Sequence, residues 1–155
     1  MKVSIITASF NSELFIESAI NSVLNQSYND IEYIIVDGLS SDNSAKIISS
    51  YNNRVTKFIS DPDSGIYDAL NKGIDYATGD IIAFLHSDDI YHEEKVVENV
   101  VQQFKNDRNL DCVCSDLVYT AREDISVVSR YWKSKSFKPY LFSMCWMTHH
   151  LTIFL

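Results

Sequence analysis

Ile81-Ile82-Ala83-Phe84-Leu85-His86-Ser87-Asp88-Asp89 is the stretch on which the reading of the fold turns. Five consecutive apolar residues leave no polar face, so a strand here is covered on both sides, as strands of parallel sheets are. The polar turn that follows stands at the carboxyl end of that strand. Outward from it the same alternation repeats. Val3 to Ala8, Ile31 to Val36 and Val55 to Ile59 read as strands upstream, and Leu110 to Cys114 reads as a fifth downstream. Between them run apolar stripes at helical spacing. The first is Ile16, Ala19, Ile20, Val23 and Leu24, with Asn11 or Ser12 as cap, and the second is Ala45, Ile48 and Tyr51. Ile66, Ala69, Leu70, Gly73, Ile74 and Ala77 make the third; Val96, Val97, Val100, Val101 and Phe104 make the buried face of a helix over 93–105.

Strands separated by helices imply βαβ units with right-handed crossovers, hence an α/β fold with a mostly parallel central sheet flanked by helices. In such sheets ligands bind beyond the carboxyl ends of the strands. The strand exits are Ala8-Ser9-Phe10-Asn11, Asp37-Gly38, Asp61-Pro62-Asp63-Ser64-Gly65 and His86-Ser87-Asp88-Asp89, so four polar clusters fall on one edge. Beyond the fifth strand, Leu117 to Trp132 reads as a hairpin. The chain finishes on Leu151-Thr152-Ile153-Phe154-Leu155, an apolar run that would be an aggregation hazard if exposed and is read here as a sign of truncation. The expected division is a nucleotide-sugar-binding unit over 1–115 and the beginning of an acceptor-side region over 116–155.

The 155 residues can bury a sizeable core without disulfide or structural metal. A formal net charge of -8 repels polyanions and excludes a nucleic-acid scaffold, but not a small diphosphate held by a cation and helix amides. Cys112, Cys114 and Cys145 lack the spacing of zinc or redox pairs and read as packing residues in a reducing compartment. No apolar run approaches the ~18 residues of a membrane span. The chain therefore reads as cytoplasmic, with peripheral docking of a longer parent at the inner face of a membrane, and homo-oligomer formation, both left open.

Several residues carry chemistry. Adjacent carboxylates at Asp88 and Asp89 repel each other and invite a hard cation with open positions for a diphosphate, for which Mg2+ or Mn2+ is suited; the competing reading is a cap on the helix that follows. Asp37 can accept hydrogen bonds from a base or sugar, with Gly38 allowing close approach, or it can serve the turn alone. Lys72, four residues after Asp68, either pairs with it on the helix surface or offsets phosphate charge. Gly73 within a helix costs about 1 kcal/mol against alanine and implies close packing or a nearby ligand. The first turn lacks G-x-G-x-x-G, which argues against a nicotinamide dehydrogenase, and no serine-hydrolase elbow or firm zinc spacing occurs.

Taken together, Val3 to Asn11, Ser22-Val23-Leu24-Asn25-Gln26-Ser27, Glu32 to Gly38, Ser41-Asp42-Asn43-Ser44, Asp63 to Gly73, Ala77-Thr78-Gly79-Asp80 and Phe84 to Asp89 resemble the family 2 glycosyltransferases, the large inverting group with the A-type fold. The likeness runs from residue 3 to about 105 and is similar to bacterial enzymes of lipopolysaccharide, capsule and exopolysaccharide synthesis. It implies that Ala8, Ser9 and Phe10 line a nucleoside pocket and that Asp37 binds the base, uracil in many relatives. It further implies that Asp63, Gly65, Asn71 and Lys72 complete the nucleotide and sugar side, that Asp88 approaches the ribose or donor sugar, and that Asp89 is the principal metal ligand. The donor would be a nucleotide-diphosphate sugar, foremost a UDP-sugar, and the acceptor a saccharide or lipid-linked saccharide.

Such transfer needs a carboxylate to take the acceptor proton. The sequence holds no aspartate or glutamate after Asp124, and Asp116, Glu123 and Asp124 stand too early to match the base of the family, so no catalytic base is assigned. His149 and His150, with threonine where relatives carry proline, resemble the acceptor-side element only loosely. Aromatic residues from Tyr131 to Trp146 suit either packing or acceptor contact. Two other functions stay open: a non-catalytic nucleotide-sugar-binding domain, and a nucleotidyltransferase, although the latter would need a glycine-rich basic loop after the first strand.

Overall fold

A computed structural model describes residues 1–121, 124–134 and 152–155. Its centre is β1 (Val3–Ser9), buried at every position and rich in β-branched residues that suit a pleated surface. On one side β1 pairs in parallel with β2 (Ile31–Asp37), which pairs in parallel with β3 (Lys57–Ser60). On the other side β1 pairs in parallel with β4 (Ile81–Phe84). The crossovers are α1 (Ile16–Leu24), α2 (Ser44–Ser50) and α3 (Ile66–Tyr76), and α4 (Val96–Asn106) follows β4. The chain thus steps outward from β1 to β3 and then returns to place β4 on the opposite flank of β1.

The fifth strand departs from expectation. Only Val113–Cys114 is extended, as β5, and β5 does not lie against β4. A short antiparallel strand, here β8 (Ile153–Phe154), stands between them, so the order among the described residues is β3-β2-β1-β4-β8-β5 and the sheet is mixed at that end. The closing apolar run is therefore no exposed edge. Phe154 is buried and stacks on Tyr91 with ring centroids 6.3 Å apart. The sheet also crosses the division expected after residue 115. The hairpin forms as β6 (Leu117–Thr120) and β7 (Val128–Trp132), a separate antiparallel pair. Cys112 and Cys114 are half-buried, and Cys145 lies outside the described residues.

Alternation along β1 separates two cores. Val3 and Ile5 face α1, α2 and α4, while Ile6 and Ala8 join Ile34, Val36, Ala69 and Leu70 under α3. Gly73 is explained by packing, since a β-carbon there would collide with the Ile6 side chain. Ile66 and Ile74, expected in the buried stripe, are exposed, and the buried residues of α3 are Ala69, Leu70 and Gly73.

A polar latch beneath α3 closes the amino-terminal edge of the sheet. Glu32, paired in register with Ser4, is almost completely buried. Its carboxylate accepts hydrogen bonds from Lys2 Nζ at 2.7 Å, Ser4 Oγ at 2.6 Å, and the backbone and hydroxyl of Thr78 at 2.7 and 2.8 Å. Gly79 donates to Ser4 Oγ, and a β-carbon at 79 would meet Ser4 and the Lys2 carbonyl. Burial pushes the Glu32 carboxyl up, but the donors outweigh it and hold it at about 2.

Because that value lies below the ordinary 4.5, the latch contributes full stability above about pH 4.5 and loses it as the pH falls toward 2. Glu32→Gln, which leaves Lys2 facing a neutral group, is expected to cost about 2–4 kcal/mol at pH 7. Urea unfolding checks this: the gap between wild type and variant should narrow between pH 4.5 and 2.

Candidate functional site

The return of the chain across β1 places the carboxyl ends of β1 and β4 side by side, at the point where the strand order reverses. A crevice opens at such a reversal. Here it is a cleft of about 350 Å3 lined by Ala8, Ser9 and Phe10 from the β1 exit and by His86, Ser87 and Asp88 from the β4 exit, with Asp63, Gly65, Ile66 and Ala69 as the wall at the start of α3. Three of the four predicted polar clusters therefore meet. A larger cavity, about 760 Å3, lies at the opposite edge between Met1, Asp80, Phe104, Lys105, Arg108 and Leu155 and gathers none of the predicted site residues.

The β1 and β2 exits are bolted together. Asn11, at φ 46, donates its N–H to Ser40 Oγ, and its side-chain oxygen accepts from the Ser41 N–H. The Ser12 N–H donates to Ser44 Oγ, the Glu13 N–H to Asp42, and the Asn43 N–H to Glu13. These bonds correct the expected cap: Asn11 and Ser12 serve the inter-loop network, and α1 starts at Ile16 with no side-chain cap.

Asp37, the fourth cluster, is fully buried and does not line the cleft. Its carboxylate accepts from the Ser40 N–H at 3.0 Å, Ser40 Oγ and Ser60 Oγ at 3.0 Å, which fixes the β2 exit. Gly38 beside it has the Asp63 carboxylate where a β-carbon would stand, so the absence of a side chain at 38 lets Asp63 fold back into the cleft wall. Asp63 in turn accepts from the Gly65 N–H at 2.9 Å, and Gly65 takes φ 117, a conformation that favours glycine.

Asn71 and Lys72 are not among the cleft-lining residues. Asn71 is exposed more than a turn along α3 from Gly65, and Lys72 donates to the Pro62 carbonyl at 2.6 Å and pairs with Asp68 at 3.5 Å. Lys72 thus ties the Asp63 loop to its helix. Ile66, read from sequence as core, is the unexpected cleft residue; its position directly after Gly65 was the available signal.

Asp88 lines the cleft and Asp89 sits half-buried next to it, its N–H donating to the His86 carbonyl. Neither carboxylate receives a hydrogen bond among the described residues. The capping alternative fails, because α4 begins at Val96, seven residues past Asp89, and has no side-chain cap. Burial, and secondarily the Asp88 charge, raises the Asp89 carboxyl to about 6. No cluster of three or more His, Cys, Asp or Glu side chains able to hold a metal occurs among the described residues. Asp116 accepts from Tyr131 and the Ser134 N–H, and Asp124 from Ser126, so both are engaged locally. Glu123, Trp146, His149 and His150 lie outside the described residues.

The family model for glycosyl transferase family 2 matches residues 4–153. The chain belongs to that family. It is 30% identical to the chondroitin synthase of Pasteurella multocida over 98% of this chain and 16% of that one. To an Escherichia coli enzyme named as a UDP-glucose:α-D-GlcNAc-diphosphoundecaprenol β-1,3-glucosyltransferase it is 37% identical, covering 67% and 42%. The fold matches that of a Pyrobaculum calidifontis mannosyltransferase solved with GDP-mannose and Mn2+, at TM-score 0.67 and 20% identity over 81% of this chain and 37% of the other. This family 2 chain spans 33% and 38% of the length of related uncharacterised glycosyltransferases from Nostoc and Mycobacterium tuberculosis.

An ionised Asp89 costs stability in the absence of a cation. Its folded value lies above the ordinary 3.8, so that cost grows as the pH rises from 3.8 through about 6. Asp89→Asn is therefore expected to raise Tm at pH 7.5 in chelator by roughly 2–8 °C, from about 1–2 kcal/mol, with the gain gone near pH 4. Thermal denaturation across pH measures it; a less stable variant at pH 7.5 would mean that the carboxylate is structural.

Proposed function

We propose that this chain forms the donor-binding part of an inverting glycosyltransferase, which passes a sugar from a nucleotide-diphosphate sugar, foremost a UDP-sugar, to an acceptor hydroxyl in polysaccharide synthesis. The observation that carries the proposal is the Asp88-Asp89 turn, with two untethered carboxylates at the β4 exit, one of them facing the β1 exit across a cleft. The names of the relatives above support the class of donor, and the E. coli relative supports a lipid-linked acceptor.

In this reading Ala8, Ser9 and Phe10 hold the base, with Phe10, 64% exposed, offering its ring as an apolar wall opposite Ile66. Asp37 reaches the base only by exchanging a Ser40 or Ser60 hydroxyl for an imide N–H. Asp63 and Gly65 place the amino end of α3 toward the diphosphate, where the positive end of the helix dipole suits an anion. Asp88 contacts ribose or donor sugar. Asn71 and Lys72 act behind the wall, Lys72 by holding the Pro62 carbonyl.

The donor set suits Mn2+ or Mg2+: oxygen ligands only, one or two carboxylates, and room for phosphate and water to supply the remainder. Asp89 would hold the cation and Asp88 would share its charge, which removes the repulsion that raises Asp89. When bound, the cation neutralises the leaving diphosphate. The proton acceptor for the attacking hydroxyl is assigned to none of the described residues. Because Asp116 and Asp124 are both engaged, a nucleotide-sugar-binding role without transfer is the second reading.

Calorimetry against UDP, GDP and dTDP with and without Mn2+ tests the proposal. UDP should bind in the low-micromolar to millimolar range, about 10-fold or more tighter with Mn2+, and Asp89→Asn should abolish the Mn2+ effect. Absence of binding to any of the three would contradict it.

A further inference from the structure

The acidic turn hangs between two anchors. Upstream it continues β4, whose end is held by the Leu85 N–H donating to the Ile6 carbonyl at 3.0 Å. Since neither carboxylate is tethered by a hydrogen bond of its own, the position of the turn depends equally on what holds the chain downstream. That anchor is the carboxyl end of α1. The Tyr91 N–H donates to Ser22 Oγ at 3.2 Å. Gln26 Nε2 donates to the Glu93 carbonyl at 2.7 Å, and its Oε1 accepts from the Val97 N–H at 3.1 Å. The Ser27 N–H donates to the Glu94 carbonyl at 2.7 Å, and Ser27 Oγ to the Glu98 carboxylate at 2.8 Å.

Five bonds from a six-residue segment thus grip residues 91–98. Gln26 is the centre of the bracket: it is 9% exposed, spends both ends of its amide across the gap, and also donates to the Ser22 carbonyl at 3.2 Å. Its bonds to 93 and 97 explain why α4 begins at Val96 and not at Glu93 as periodicity suggests, because the Glu93 carbonyl is turned to the Gln26 side chain and not into a helix. A buried amide used at both ends is costly to disturb, since each lost partner leaves a polar group unpaired.

We propose that Ser22 and Gln26 are positioning residues for the Asp88-Asp89 turn, setting how far its carboxylates project into the cleft. Their effect on nucleotide binding rests on the donor-site reading given above. Their effect on the turn does not.

Two measurements on the 155-residue chain separate these parts. Hydrogen exchange of the segment 86–92 should accelerate about 10-fold or more in Gln26→Ala and in the milder Ser22→Ala, while segment 61–70, on the other wall of the cleft, stays unchanged. Glu32→Gln, which loosens the latch at the far edge, is the control for general destabilisation. Calorimetry should then show that Gln26→Ala loses about 10- to 100-fold of the Mn2+-dependent gain in UDP affinity, with affinity in chelator little altered. Gln26→Glu, which keeps an oxygen for Val97 but loses the donor to Glu93, should fall between wild type and Gln26→Ala in both measurements. Equal acceleration in both segments, or the same profile in Glu32→Gln, would reduce Gln26 to ordinary packing and overturn the proposal. Exchange as expected in a wild type that binds no nucleotide would uphold the bracket while removing the donor-site reading.

Discussion

The reversal of strand order at β1 is the constraint from which the rest follows. The chain runs outward from β1 to β3 and then returns to β4, and the crevice lies at the carboxyl ends of β1 and β4, where that order reverses. Everything polar in the candidate site belongs to a connection that leaves this rim. On the opposite rim Glu32, Lys2 and Thr78 are locked together by hydrogen bonds. At one edge the Glu32 carboxylate is taken up by the fold, while at the other the Asp88 and Asp89 carboxylates have no hydrogen-bond donor among the described residues.

That contrast runs through the acidic residues of the chain. Glu32 and Asp37 are buried and satisfied, so they hold strands and turns. Asp63 is drawn back over Gly38 and braced by Gly65. Asp88 and Asp89 alone of these stand without donors among the described residues, on a turn whose two ends are fixed by Ile6 and by the bracket from α1. A pair of like charges kept apart from compensating groups is an unfavourable arrangement for a folded chain by itself and a favourable one for a cation with a diphosphate.

Sequence periodicity carried the four parallel strands and their helices, because strands buried on both faces and helices buried on one have distinct patterns. It located the exits, and hence the cleft. It did not carry the antiparallel insertion of Ile153–Phe154, because a short apolar run has no signature for its partner or direction. Nor did it separate Asp37 from Asp89: both are acidic residues at strand exits, and only the three-dimensional placement of Ser40 and Ser60 shows which one is already engaged. Lys72 is open to two readings for a related reason, since a lysine near a predicted cleft can serve a phosphate or a carbonyl of its own chain, and in the structure it donates to the Pro62 carbonyl and pairs with Asp68. Gln26 was visible only as part of a family-like motif, as its partners are some seventy residues away.

The most direct test of this account is a crystal structure of the chain with UDP and Mn2+. The account predicts the uracil against Ala8, Ser9 and Phe10, with the cation held by the Asp89 carboxylate on the diphosphate side of the cleft. Nucleotide seated instead in the cavity between Phe104, Lys105 and Arg108, or bound with Asp89 facing away from its phosphates, would contradict it.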